Sequence, residues 1–255
     1  MHKIKAFQNH FKVTHCKYGN SGQTPTFSNI KGILFDVDGT LYYQTPLRAI
    51  ILFLLIFLNF YRPKELLRKL KVIIYYRKCQ EILRHVPKMK RKDQKNQLML
   101  TADKTGESIS YVSDVVEEWF EKKPLPFMHL CRRREIYKVI DLMQKRGFNL
   151  GVFSDYPAEK KLEALGVLKF FKTVVSSSDH GIHGFKPNTN GFRIAAAKMG
   201  LEPSEVLYVG DRPDVDGLGG SEAGMKVVML KSFLRKNRTG DYPFINSLNE
   251  LLMKL

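Results

Sequence analysis

Cysteine is scarce in this chain of 255 residues: Cys16, Cys79 and Cys131 stand far apart and form no C-x-x-C pair. That spacing argues against a disulfide framework or a zinc site and fits a reducing compartment. The first thirty residues contain no Asp, Glu or Arg and no continuous apolar stretch before a small-residue cleavage site, so neither a secretory signal nor an Arg-rich transit peptide is expected. No internal repeat or low-complexity tract is present. The most apolar stretch, 49–60, would extend roughly 18 Å as a helix, short of the ~30 Å needed to cross a bilayer.

With 44% hydrophobic and 26% charged residues the composition is that of a globular protein. The formal net charge is +17, and it is unevenly placed. Residues 41–146 carry 23 Lys/Arg against 11 Asp/Glu, whereas 147–255 carry 14 against 12. The excess is sharpest over 62–95, with 13 basic and 3 acidic residues, including the run Lys88-Met89-Lys90-Arg91-Lys92. Such a patch attracts phosphates, nucleic acid or acidic lipid headgroups, or simply keeps a helix face solvated.

From residue 31 onward short apolar runs alternate with helical patterns, which predicts a Rossmann-like α/β fold with a parallel sheet and helices on both faces. Strands are expected at 32–35, 148–153, 173–176, 206–209 and 226–230, and helices at 132–145, 158–165, 191–199 and 218–223. The pattern breaks between residues 45 and 130, which read as almost wholly helical. The expected organisation is a flexible leader (1–29), a Rossmann-like α/β core (30–44 and 131–255) and an inserted helical domain (45–130). Within the insert, 49–60 shows no polar face and must be buried in something. Two readings stand open: it is the internal core of the inserted helices, or it lies at a membrane interface beside the basic amphipathic stretch that follows.

The chemistry concentrates behind the first apolar run, Ile33-Leu34-Phe35. In Asp36-Val37-Asp38-Gly39-Thr40 the two carboxylates at i and i+2 would project to the same side. Anions that close need a cation between them or a shared proton. Three further elements follow in order: Ser154 after Leu150-Gly151-Val152-Phe153, Lys186 in Gly184-Phe185-Lys186-Pro187, and Gly210-Asp211-Arg212-Pro213-Asp214-Val215-Asp216 after Val206-Leu207-Tyr208-Val209. Each falls just after a predicted strand, or between a strand and a helix, where open α/β folds bind ligands. The set resembles the four motifs of the haloacid dehalogenase superfamily of aspartate-nucleophile phosphatases.

The resemblance implies a magnesium-dependent phosphatase acting on a small phosphorylated substrate, with the insert as its cap. Asp36 is the expected nucleophile, since a carboxylate is ionised at neutral pH without a helper base. Asp38 is expected to protonate the leaving oxygen and then to activate water, a role that asks for a raised pKa. Ser154 and Lys186 would meet the phosphoryl group, with Gly39, Thr40 and Asp155 beside it. Mg2+ would be held by Asp36, Asp211 and the backbone carbonyl of Asp38, with family resemblance favouring Asp216 over Asp214 as the outer carboxylate. Phe192 and the stretch 220–225 also fit the family pattern. Asp155 and Tyr156 depart from it, because a small or amide residue is commoner there, and they imply a more acidic or differently shaped pocket. Asp38 argues against a dehalogenase or a phosphonate-cleaving variant and leaves a phosphomutase open. A non-catalytic nucleic-acid-binding module on the basic insert is a third class, but the sequence has no recognised reading motif for it. The expected location is cytoplasmic, with peripheral contact to an acidic membrane as the accompanying alternative, and no segment specifies an oligomeric state.

Overall fold

The computed structural model describes residues 27, 29–85, 94–182, 184–231 and 242–255. The leader expected over 1–29 lies outside the described residues except at 27 and 29, as does the basic run from Lys88 to Lys92. The chain begins with β1 (Gly32–Phe35) and then enters a helical stretch. This comprises α1 (Gln44–Asn59), α2 (Pro63–Arg84), α3 (Gln94–Thr105), α4 (Ile109–Val116), a π-helical turn (Glu117–Lys122) and the short α5 (Met128–Cys131). The alternation then resumes as α6 (Ile136–Lys145), β2 (Asn149–Ser154), α7 (Glu159–Ala164), β3 (Thr173–Ser176), α8 (Thr189–Lys198) and β4 (Val206–Gly210). It closes with α9 (Leu218–Glu222), β5 (Lys226–Leu230), β6 (Phe244–Ile245) and α10 (Leu248–Lys254).

The six strands form one parallel sheet in the order β3-β2-β1-β4-β5-β6. Strand β1 is central, with Phe35 opposite Val152 of β2 on one side and Val209 of β4 on the other. The chain therefore winds outward in one direction from β1 and later in the other, and the crevice beyond the carboxyl end of β1 is a topological switch point. All five predicted strands are present within a residue or so. Residues Phe244–Ile245 add an edge strand that two residues of apolar pattern could not announce.

Alternation along the strands divides the core into two layers. Ile33, Phe35, Val152, Val209 and Val228 face one side with Val139 and Ile140 of α6 and Leu251 of α10. Leu34, Phe153, Tyr208 and Val227 face the other with Phe192 and Ala195 of α8. Helix α8 comes close because it has Gly191 at the contact: a Cβ there would lie 2.1 Å from the Phe153 ring. A third cluster belongs to the helices between β1 and β2, where Leu55, Val72, Tyr76, Val112 and Trp119 pack together.

Helix α1 departs from the reading in which 49–60 forms the inner core of the cap. Only Leu47, Leu55 and Asn59 of this helix are buried. Phe53 is 66% exposed and Phe57 65%, and past the helix Phe60 is 67% and Tyr61 91% exposed. The reason is architectural, since a helix in a thin layer has neighbours on one side only and its other side faces water whatever its composition. Each phenylalanine left outside forgoes about 1.5–3 kcal/mol of burial. No helix among the described residues is long and apolar enough to cross a membrane.

Candidate active site

The site gathers at the carboxyl edge of the sheet. Asp36 leaves β1 with its backbone N–H bonded to the Val209 carbonyl at 2.9 Å, so the strand ladder fixes where its side chain starts. Its Oδ2 accepts from the Thr40 hydroxyl at 3.1 Å and its Oδ1 from Lys186 Nζ at 2.6 Å. Lys186 enters from the loop between β3 and α8 and is 2% exposed. Its ammonium also donates to Asp216 Oδ1 at 2.7 Å and to the Tyr208 hydroxyl at 3.0 Å. Tyr208 in turn donates to Asp216 Oδ1 at 3.1 Å, and the Arg212 N–H donates to Asp216 Oδ2 at 3.1 Å.

One carboxylate oxygen from each of Asp36, Asp211 and Asp216 lies within 4.8 Å of the others. Burial drives the Asp36 carboxyl up to about 8; Lys186 opposes the rise while Asp216, Asp211 and Asp38 reinforce it. Burial also works against the Lys186 ammonium, but Asp216 and Asp36 outweigh it and hold its proton more tightly than water would. The three carboxyl groups crowd their oxygens together beside the Lys186 ammonium, and those donors are all hard oxygens. Magnesium fits that set, because it selects oxygen ligands and binds through one or two carboxylates while keeping waters. Gly39 belongs to the same cluster. Its φ of +104° suits glycine, and a Cβ would sit 2.5 Å from Asp211 Oδ2. Asp214 is outside the cluster: its side chain is 57% exposed and pairs with Arg212 at 2.7 Å.

Asp38 differs from the expectation of a raised pKa. Both its oxygens accept from Lys161 Nζ of α7 at 2.8 Å, and the Tyr42 hydroxyl donates to Oδ1. Burial pushes this carboxyl up, yet the Lys161 charge and these hydrogen bonds more than reverse the push and hold it below the usual aspartate value. Ser154, buried at the end of β2, stands two residues past Val152 just as Val37 stands past Phe35. Its Oγ accepts from the Tyr156 N–H at 3.4 Å.

Asp155 does not add an unbalanced charge to the pocket. Arg84, the last residue of α2, donates to its Oδ2 at 2.6 Å, and the Lys186 N–H donates to its Oδ1 at 3.0 Å. Arg84 also donates to the Lys186 carbonyl at 2.5 Å. Burial raises the Asp155 carboxyl, but Arg84 and Lys186 prevail and keep it ionised. A second tie joins Glu81 of α2 to Arg212 at 2.6 and 3.1 Å. Below the loop, buried Arg133 donates to the carbonyls of Thr40 at 2.7 Å and Gly39 at 3.1 Å.

The model of the haloacid dehalogenase-like hydrolases matches residues 30–224. The chain belongs to that family. Glyceraldehyde 3-phosphate phosphatase from Methanopyrus kandleri is 30% identical over 214 residues, covering 79% of this chain and 84% of that protein. Among solved structures, the magnesium-bound hydrolase YfnB from Bacillus subtilis superposes with a TM-score of 0.63 at 18% identity, covering 88% of this chain and 97% of that one. A 2-haloacid dehalogenase from Pseudomonas syringae gives 0.61 at 21% identity over 88% and 97%. These last two speak to the fold. As a family member this chain is a hydrolase, and the cluster of Asp36, Lys186 and Asp216 is its candidate active site.

Sequence reasoning passed over Lys161, Tyr42, Tyr208, Arg84, Glu81 and Arg133. Lys161 is 123 positions from Asp38, and Arg84 is 71 from Asp155. Neither pairing leaves a local pattern. Tyr208 and Arg212 sit inside a quoted motif, where the strand alternation and the buried carboxylates around them were the available signal.

Proposed function

We propose that this hydrolase is a magnesium-dependent phosphatase that cleaves a small phosphate monoester through an aspartyl-phosphate on Asp36. The observation that carries the reading is the buried cluster of Asp36, Asp211 and Asp216, with Asp36 held on both oxygens by Thr40 and Lys186. Asp36, Asp211 and the Asp38 carbonyl would hold Mg2+, with Asp216 as the outer carboxylate. Bound there, the ion supplies positive charge that offsets the phosphoryl oxygens and the carboxylates.

Thr40 and Lys186 restrict Asp36 to one orientation, which favours in-line attack. An Asp36 oxygen bonds to phosphorus as the ester P–O bond breaks, and the leaving oxygen takes a proton from Asp38. Water then attacks the phosphorus, Asp38 accepts its proton, and the Asp36 carboxylate leaves as inorganic phosphate forms. Lys161 and Tyr42 hold Asp38 ionised before substrate binds, so for the first half it must take up a proton from solvent, which the arriving negative charge of the phosphate ester favours. Once that proton has gone to the leaving oxygen, Asp38 is left ionised, the form the second half needs. Ser154 would donate to a phosphoryl oxygen and Lys186 would share its charge with the transferring group. Gly39 keeps the loop close to Asp211, while Asp155 acts through Arg84 and the Lys186 amide.

The likeness to a glyceraldehyde 3-phosphate phosphatase over most of its length makes triose and other small sugar phosphates the first candidates. The test is a panel of these esters with Mg2+, read as released phosphate. Asp36→Asn should lower turnover by about a thousandfold or more while leaving the melting transition sharp. Isomerised product without free phosphate would mean a phosphomutase, and substantial activity in Asp36→Asn would move the nucleophile elsewhere.

A further inference from the structure

The outward stripe of α1 inverts the ordinary pattern of a surface helix. On a helix packed from one side, positions at i, i+3, i+4, i+7 and i+8 share a face, and the solvent face carries charge. Here Ala49, Leu52, Phe53, Ile56, Phe57 and Phe60 occupy that series, and all are exposed. The rings of Phe53 and Phe57 stack on each other at 5.9 Å, and Phe60 meets Tyr61 at 4.9 Å. The stripe ends in a turn where Arg62 and Lys64 are exposed. From there α2 presents Lys64, Leu67, Ile74, Lys78 and Ile82 outward, cation and hydrocarbon along one face, with Lys71 between them turned to the Thr105 carbonyl at 2.7 Å. No acidic residue occurs from residue 39 to residue 64.

We propose that the α1–α2 hairpin is a docking surface for an anionic lipid bilayer. The apolar stripe of α1 and the turn would enter the headgroup and upper acyl region, and the lysines of α2 would face acidic headgroups. Helix α1, 16 residues long, reaches about 24 Å, which suits a helix lying in the interface. Charge decides among the occupants. A second copy of this chain would bring the same cation-bearing helix against itself, and each added lysine would oppose the contact. A nucleic acid would satisfy the lysines but leave the phenylalanine stripe in water. An acidic lipid surface satisfies both, and the two attractions together give stable attachment where either alone is weak.

The proposal is independent of the phosphatase reading, and its test uses no turnover to measure binding. The full chain is sedimented with vesicles of phosphatidylcholine alone or mixed with phosphatidylserine, at low and physiological salt. Expected is co-sedimentation with the mixed vesicles, little with phosphatidylcholine, and weakening by salt. Phe53→Ser combined with Phe57→Ser should reduce binding by more than about tenfold, and Lys64→Ala and Lys78→Ala by about fivefold each. None of the four residues contacts Asp36 or its partners among the described interactions, so kcat for p-nitrophenyl phosphate at saturating substrate should stay at the parent level, which shows that the variants fold. Absence of binding to mixed vesicles at low salt overturns the proposal, as does binding indifferent to the phenylalanine changes. A dimer by light scattering that those changes dissolve, without vesicle binding, would assign the stripe to a second copy. Duplex DNA binding unaffected by them, without vesicle binding, would assign the lysines to nucleic acid.

Discussion

At the residue scale the catalytic edge is a problem in charge balance. Lys186 donates to both Asp36 and Asp216, with Asp211 adjoining them, and Mg2+ in the proposed site would add positive charge to that group. Adding Mg2+ should therefore raise the thermal midpoint, and at about a hundredfold over the dissociation constant the gain is about 2.7 kcal/mol. Asp211→Asn should remove most of that shift without abolishing folding, which differential scanning calorimetry with and without a chelator measures. A midpoint indifferent to Mg2+ in the parent protein would leave the cluster without the cation it is proposed to hold. Which residues face this edge was largely legible, because Asp36, Ser154 and Asp211 all follow apolar runs that end at one side of the sheet. What escaped was the set of groups that adjust them. Lys161 reverses the sign of the shift expected for Asp38, and nothing about a lysine in a helix marks it as the partner of an aspartate in another loop.

Elements show the same division between local and distant information. Strands of four to six apolar residues announce themselves, and so do the helices between them, because their periodicity is a property of neighbouring residues. Helix α1 was legible as a helix and not as a surface: nearly every position is apolar, so no pattern tells which side faces the protein. Helix α2 is informative for its last turn, where Arg84 reaches Asp155 across the boundary between the inserted helices and the sheet. Replacing Arg84 with Ala would leave Asp155 buried beside fewer positive charges, and breaking such a pair typically costs about 3–5 kcal/mol. We expect a lower urea midpoint, together with a raised KM for phosphate esters. Arg84→Lys should recover part of the stability and little of the KM, since a single ammonium cannot serve Asp155 and the Lys186 carbonyl with the same fork geometry. Equal recovery of both would reduce Arg84 to a simple counter-charge.

The whole molecule carries its charge asymmetrically, with most of the excess in the residues between β1 and β2. A field of that sign draws anions toward the nearby edge and is screened by salt over about 10 Å at 0.1 M. For a small phosphate ester, kcat/KM should fall severalfold as ionic strength rises from about 0.02 to about 0.2 M at fixed free Mg2+, with kcat nearly unchanged. A flat profile would confine the excess charge to a role away from the site. The expected division into a sheet core and a helical insert rests on where the alternation stops, at residue 45, and resumes near 131. The contact between the two was not legible, because Glu81–Arg212 and Arg84–Asp155 join positions with no shared periodicity.

That second contact has a mechanical consequence. The guanidinium of Arg84 grips the carbonyl of Lys186, whose ammonium grips Asp36, so α2 and Asp36 are coupled through one residue's main chain and side chain. If α2 swings away to admit substrate, it tugs on the lysine; if it settles back, the lysine is reseated. Lys186 would then behave as a lever as well as a charge, and solvent viscosity, which slows the movement of a helix of 22 residues, would slow turnover with it.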